Sequence, residues 1–146
     1  MVVGTCADGY GSETNDFGDV IYTNQGINEK DLQYFWESFP VGKVKHGEKS
    51  TTKTTYMFTY LDADSRRPTI ESIFDDYFTL LPTYQPTLKS VEDLDILRSL
   101  CAFFPTYKAS PLQIDSDRVL LVGDASGIQS PLSFGGFGAT TRHLSR

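Results

Sequence analysis

Cysteine, histidine and clustered basic residues are all scarce in this 146-residue chain. The two cysteines, Cys6 and Cys101, lie far apart and match neither a CxxC pair nor the spacing of a zinc site, so we predict two free, buried or half-buried thiols and no metal centre. The net charge is −6, and no basic cluster occurs before the last five residues. Because nucleic-acid affinity depends on such clusters, we expect no nucleic-acid partner.

Long apolar runs and a secretory signal are also missing. A signal needs a basic start and then an apolar stretch of roughly 7–15 residues, whereas the chain turns polar by Asp8. No apolar run approaches the ~18 residues that indicate a membrane span. We therefore expect an intracellular or organellar protein with no transmembrane segment.

Aromatic residues, in contrast, are plentiful. The chain has ten Phe, eight Tyr and one Trp, which supply large apolar area for a core or a pocket. In the run Thr54–Asp62, alternation places Tyr56, Phe58 and Tyr60 on one face of a strand and residues 57, 59 and 61 on the other. This period of two indicates a sheet.

The first two thirds of the chain combine such strands with helices. Four segments have strand patterns: Met1–Cys6, Asp19–Thr23, Leu32–Val41 and Thr54–Asp62. Apolar residues then recur at helical spacing from Ile70 to Leu81, and Pro82 is predicted to end that helix. A second short helix is predicted to begin at the N-cap Ser90, with Leu97 inward, before a strand over Ser99–Phe104. The predicted fold class is α+β, with a mixed or antiparallel sheet and covering helices.

From Asp117 onward the sequence changes character. Arg118–Val122 is a continuous apolar run, typical of a strand buried on both faces of a parallel sheet, and Gly123–Gly127 ends it sharply. A glycine-rich stretch follows, and Ala139–Arg146 can continue as a helix. A strand, a turn with one carboxylate and a glycine-rich helix start suit a nucleotide-like cofactor. The alternative is a buried strand and turn that bind no ligand.

These residues resemble a known motif. The run Asp117–Gly127, followed by Pro131 and the glycines, resembles the second flavin motif of FAD-dependent oxidoreductases of the para-hydroxybenzoate hydroxylase fold, which include geranylgeranyl reductases and lycopene cyclase-like proteins. Together with Phe104–Tyr107 and Thr55–Tyr60, the segment Gly123–Arg146 is most similar to the plastid FAD/NAD(P)-binding oxidoreductases of plants and algae.

The resemblance implies a cofactor site. Asp124 would accept a hydrogen bond from a ribityl hydroxyl of FAD, and Gly123 would keep the turn tight. Backbone N–H groups around Gly136 and Phe137 would face the flavin pyrimidine ring, and Pro131 would shape the loop. NAD(P)H is the implied electron donor in a full-length protein. The implied cofactor-binding set is Gly123, Asp124, Pro131, Gly135, Gly136, Phe137 and Gly138.

The resemblance also divides the chain. Residues 1–116 would form a substrate-binding-like sheet domain, and residues 117–146 the last strand and helix start of an incomplete FAD-binding α/β domain. An apolar substrate, such as an isoprenoid or a carotenoid, would contact Tyr56, Phe58 and Tyr107, although ordinary core packing is the alternative for such rings. No side chain is nominated as a catalytic acid or base. Many members of the family have a glycine where this chain has Phe134, and this difference affects the register of the loop against the flavin.

The GxGxxG pattern that would hold the FAD pyrophosphate is absent from the chain. We therefore expect a part of a larger flavoprotein, or a truncated product, that is inactive and colourless by itself. The alternative is a non-catalytic fragment that acts at most as an interaction module through unpaired strand edges. The resemblance implies a plastid location, although no targeting peptide is visible.

Overall fold

The computed structural model describes residues 1–11, 19–21, 25–41, 51–107, 109, 111–112, 114–127 and 141–142, and of residues 19–21 it describes the backbone. Contacts divide the chain into two units, Met1–Ala102 and Phe103–Arg146, whereas the sequence predicts a boundary after residue 116. The elements in chain order are β1 (Val2–Asp8), β2 (Asp19–Ile21), β3 (Tyr34–Pro40), β4 (Lys53–Thr59), α1 (Ile70–Tyr84) and β5 (Asp95–Ala102), with short 3-10 turns at Val91–Asp93 and Gly123–Ser126.

The first unit contains one antiparallel sheet. Its strand order is β2-β3-β4-β1-β5, so the first strand of the chain lies between β4 and β5. Val2 faces Phe58 on β4 and Ala102 on β5, which fixes the register across the three strands. The α+β fold class and the antiparallel sheet with a covering helix are confirmed.

Helix α1 packs on one face of this sheet, which we call the helix-covered face. The alternating pattern of β3 and β4 directs Trp36 and Met57 toward the helix, where both are 1% exposed. Trp36 stacks against Tyr77 and Tyr84 of α1, with ring centroids 5.3 and 4.7 Å apart. Full burial of a large side chain contributes roughly 1.5–3 kcal/mol, so this aromatic stack anchors the helix.

Hydroxyl groups join the helix to the sheet inside this core. The Tyr77 hydroxyl donates to the Thr55 carbonyl oxygen at 3.3 Å and lies 2.9 Å from Thr5 Oγ1. Ser38 Oγ and Thr55 Oγ1 are 3.1 Å apart on neighbouring strands. Because a buried polar group without a partner is costly, these bonds let three strands carry hydroxyl side chains under the helix.

Two predictions about helices are wrong. Helix α1 continues through Pro82 to Tyr84, because the stacking of Tyr84 on Trp36 holds the last turn in place. The predicted second helix is only a 3-10 turn: Ser90 does cap it, with its hydroxyl accepting from Glu92 N at 3.2 Å, but the chain is extended again at Leu94. Pairing with β1 along seven register positions outweighs the local helical pattern.

Strand β5 begins earlier than predicted and is more exposed. Leu97, expected to point inward from a helix, is 60% exposed, and it lies where the pairing with β1 shifts register. Cys101 is also exposed, contrary to the predicted burial, whereas Cys6 is half-buried, and neither forms a disulfide. Six of the eight β5 residues are exposed, and β5 is the last strand in the order of the sheet.

The predicted strand over Arg118–Val122 is wrong. These residues form a turn and irregular chain, and Leu120 is 82% exposed. A strand buried on both faces needs hydrogen-bonding neighbours and covering layers, and no strand occurs among the described residues of the second unit. The apolar run therefore has nothing there to pair with. Thr141 and Arg142 are helical, and the rest of the predicted final helix lies outside the described residues.

Candidate functional site

The sheet face opposite α1 carries a group of aromatic side chains. Alternation along β3 and β4 places them there. The register adds Val2 and Gly4 of β1 and Leu100 of β5 to the same face. We call this surface the aromatic face; its rings are Phe35, Phe39, Tyr56, Phe58 and Tyr60.

The rings of the aromatic face contact one another. Phe35 and Tyr60 pack edge to face with centroids 5.6 Å apart, and Tyr56 and Phe58 lie 6.0 Å apart at a tilt. Most are half-buried, and Tyr60 is 41% exposed. Contacting, partly exposed rings of this kind can bind an apolar ligand.

Gly4 allows the Tyr56 ring to lie close to β1. A Cβ at position 4 would stand 2.2 Å from the Thr55 carbonyl oxygen and 2.9 Å from Tyr56 Cδ1. The absence of a side chain therefore leaves room for the neighbouring strand and for the ring. A close backbone approach is a recognised reason for glycine inside a strand.

Glu37 is the residue on this face that sequence reasoning missed. It lies directly opposite Tyr56 in the β3–β4 register, between Phe35 and Phe39 along its own strand. Its side chain is half-buried, and this burial raises the pKa of the Glu37 carboxyl. The alternation in β3 could have revealed it, because the pattern that directs Trp36 inward sends Glu37 to the aromatic face.

Of the predicted substrate residues, Tyr56 and Phe58 share the aromatic face of the first unit. Tyr107 belongs to the second unit, where its backbone N–H donates to the Gly127 carbonyl oxygen at 2.6 Å. Gly127 has φ 64, and a Cβ there would stand 3.0 Å from the Tyr107 ring, so this position needs glycine. Tyr107 therefore has a clear packing role in its own unit.

The turn at Gly123–Ser126 holds two of the predicted cofactor residues. Gly123 has φ 59, a left-handed conformation that favours glycine, and the space around it is open. Ser126 Oγ donates to the Gly123 carbonyl oxygen at 2.6 Å and closes the turn. Asp124 is exposed, so its carboxylate can accept hydrogen bonds from an incoming ligand. The remaining predicted cofactor residues lie outside the described part of the chain: Pro131, Gly135, Gly136, Phe137 and Gly138.

A charged cavity of about 310 Å³ lies elsewhere in the first unit. Each of its basic groups has a carboxylate partner: Lys30 pairs with Asp76 at 2.7 Å, and Arg66 and Arg67 pair with aspartates at 2.7 and 2.5 Å. The Arg66 guanidinium lowers the pKa of Asp64 to about 2. Because each basic group of the lining is already paired with a carboxylate, the lining offers no unpaired positive charge to an anion. Its lining residues are Glu29, Lys30, Asp31, Asp64, Arg66 and Arg67.

The Lys30–Asp76 pair also has a structural role. The Asp76 carboxylate accepts a short hydrogen bond from the Tyr34 hydroxyl, and Lys30 Nζ donates to Ser72 Oγ at 3.1 Å. Burial, followed by the bond to Asp76, raises the pKa of Tyr34. These contacts attach the start of β3 to the first half of α1.

Among the residues that the structure describes, no group of three or more His, Cys, Asp or Glu side chains is arranged to hold a metal ion. None of the helices described has the length and apolar character to cross a bilayer.

Comparison with known proteins gives no relative. No protein-family model, no curated protein and no solved structure matches the chain.

Proposed function

We propose that the chain forms the substrate-facing sheet and part of the flavin site of an FAD-dependent oxidoreductase that acts on an apolar substrate, such as an isoprenoid or a carotenoid. The proposal is supported above all by the placement of Tyr56 and Phe58 together on the aromatic face, opposite the helix. A sheet with one face closed by a helix and the other lined with rings is suited to cover an apolar ligand.

The turn at Gly123–Ser126 supports the cofactor part of the proposal. Asp124 is exposed and therefore accessible to a ribityl hydroxyl. Gly123 has a left-handed backbone conformation, which favours glycine at this turn. In this proposal Asp124 orients the ribityl chain and the aromatic face excludes water from the substrate. A bound flavin would supply the electron transfer. NAD(P)H as electron donor and a plastid location belong to the same proposal.

Two small flavins test the role of Asp124. Riboflavin carries the ribityl chain and lumiflavin lacks it, so the chain should bind riboflavin more tightly, by about three- to tenfold for one hydrogen bond. Equilibrium dialysis measures both affinities. The Asp124→Ala variant should lose the preference for riboflavin.

Asp117→Ala is the matched control, because Asp117 is an exposed aspartate of the same unit with its side chain 92% exposed. It should keep the preference for riboflavin. Equal affinities for the two flavins in the unmodified chain, or an unchanged preference in Asp124→Ala, would remove Asp124 from a flavin site.

A non-catalytic interaction module is the second candidate function. It is favoured by the apolar side chains that the second unit exposes, among them Val119, Leu120 and Val122. This function predicts association that grows with concentration in sedimentation velocity and decreases in Leu120→Ser, together with no preference between the two flavins.

A further inference from the structure

Glu37 is a charged residue in an apolar setting. Phe35 and Phe39 flank it along β3, Tyr56 faces it from β4, and the backbone of Val20 is paired with it on the β2 side. The carboxyl is half-buried, and the described residues supply it with neither a hydrogen bond nor an ion pair. A carboxyl in such a place lacks the polar contacts that normally offset burial.

The chemistry of this carboxyl favours one kind of partner. Burial disfavours the charged form, so Glu37 stays protonated to a higher pH than an exposed glutamate does. A protonated carboxyl can donate a hydrogen bond to a carbonyl or hydroxyl oxygen. An ammonium group would instead require the carboxylate, which this environment penalises.

We propose that the aromatic face binds an elongated apolar molecule with a single carbonyl or hydroxyl oxygen, and that Glu37 forms a hydrogen bond with that oxygen while the Tyr56 and Phe58 rings contact the apolar body. The inference rests on the proposed function in taking these two rings as ligand-facing, and it adds the polar group that the ligand must carry. A pure hydrocarbon would leave the Glu37 carboxyl buried without a partner, and this costs affinity.

The position of Glu37 supports a specificity role. It stands in the row Glu37–Tyr56–Gly4–Leu100 across four strands, where the other members offer an aromatic ring with one neutral hydroxyl, no side chain and an aliphatic side chain. A ligand oxygen placed anywhere else along this row would meet no charged group. Glu37 therefore fixes where along the face the oxygen of the ligand lies.

Two ligands of one carbon skeleton test the proposal. Geranylacetone is an apolar chain with one ketone, and the hydrocarbon of the same skeleton lacks only the oxygen. Displacement of the fluorescent probe 1-aminoanthracene measures both affinities. The ketone should bind about three- to tenfold more tightly than the hydrocarbon at the lowest pH at which the chain stays folded, because Glu37 is protonated there. The preference should decrease as the pH rises, because Glu37 then loses its proton, at a higher pH than an exposed glutamate does.

Variants of Glu37 separate hydrogen bonding from packing. In Glu37→Gln the amide donates at every pH, so the ketone preference should persist and become independent of pH. In Glu37→Leu the preference should disappear while the hydrocarbon binds at least as tightly. Glu29→Leu, the same substitution at an exposed glutamate, should leave the preference unchanged. Far-ultraviolet circular dichroism confirms that each variant is folded.

Three results would overturn the proposal: equal binding of ketone and hydrocarbon at the lower pH, an unchanged preference in Glu37→Leu, or binding of neither ligand. A failure here is distinguishable from a failure of the flavin proposal. The flavin experiment concerns Asp124 in the second unit, whereas the ketone experiment concerns Glu37 in the first.

Discussion

Replacement of Gly4 by alanine should disturb the sheet beneath the aromatic face. The added Cβ would lie 2.2 Å from the Thr55 carbonyl oxygen, a backbone atom of the adjacent strand, and 2.9 Å from the Tyr56 ring. The ring can rotate, but the carbonyl can retreat only if β1 and β4 move apart. That movement would strain the hydrogen bonds that join these two neighbouring strands.

The magnitude follows from the cost of overpacking. Insertion of one methyl group into a closely packed site costs about 1–3 kcal/mol, and here the clash is with backbone, so we expect about 2 kcal/mol. Gly4 has no positive φ, so alanine adds no backbone strain of its own. For a chain of this length the melting temperature should decrease by about 4–8 °C.

Urea unfolding followed by tryptophan fluorescence measures this effect. The chain has a single tryptophan, Trp36, which is 1% exposed in the folded protein and becomes solvated on unfolding. Gly26→Ala is the matched control, because Gly26 has no atom within 4 Å of the added Cβ and no positive φ. That variant should be unchanged or more stable by about 0.4–1 kcal/mol. If Gly4→Ala unfolded at the same urea concentration as the unmodified chain, the close strand approach would be refuted.

Two further predictions concern the core and the pH dependence of stability. Tyr77→Phe removes the hydroxyl that bonds to Thr5 Oγ1 and to the Thr55 carbonyl oxygen. It should therefore lower the free energy of unfolding, measured in urea, by about 1–3 kcal/mol. Tyr56→Phe, the control, should change this free energy by less than about 0.5 kcal/mol. Equal effects of the two would contradict the role of the buried hydroxyl. Because the folded-state pKa of Glu37 is raised, its contribution to stability is fully present below the unfolded pKa of about 4.5 and is lost as pH rises through the folded pKa. Urea midpoints over a pH series should therefore decrease less with rising pH in Glu37→Gln, and parallel profiles would show that Glu37 is not desolvated.

Glu37 illustrates a site residue that the sequence contains but does not mark. Acidic residues are common on exposed strand faces, so a glutamate inside an alternating run gives no signal by itself. Its neighbours distinguish it, and two of them, Phe35 and Phe39, are visible from a period of two along the strand. The third, Tyr56, becomes a neighbour only through the β3–β4 register.

Local sequence determined the elements whose signal is contained within one segment. Alternation in β4 predicted which of its side chains share a face, and the helical spacing from Ile70 predicted α1, because both patterns depend on backbone geometry alone. The turn at Gly123 was also visible in the sequence. Its left-handed conformation favours glycine, and a glycine stands there.

Tertiary structure decided the elements that depend on a partner distant in sequence. Residues from Asp95 became a strand instead of a helix because β1, which lies 87 to 100 residues earlier in the chain, pairs with them. The apolar run Arg118–Val122 stayed irregular because a buried strand needs neighbours that the described part of its unit does not provide. A sequence pattern states which face of an element is apolar, whereas hydrogen-bonding partners decide whether that element forms and which side chains meet across it.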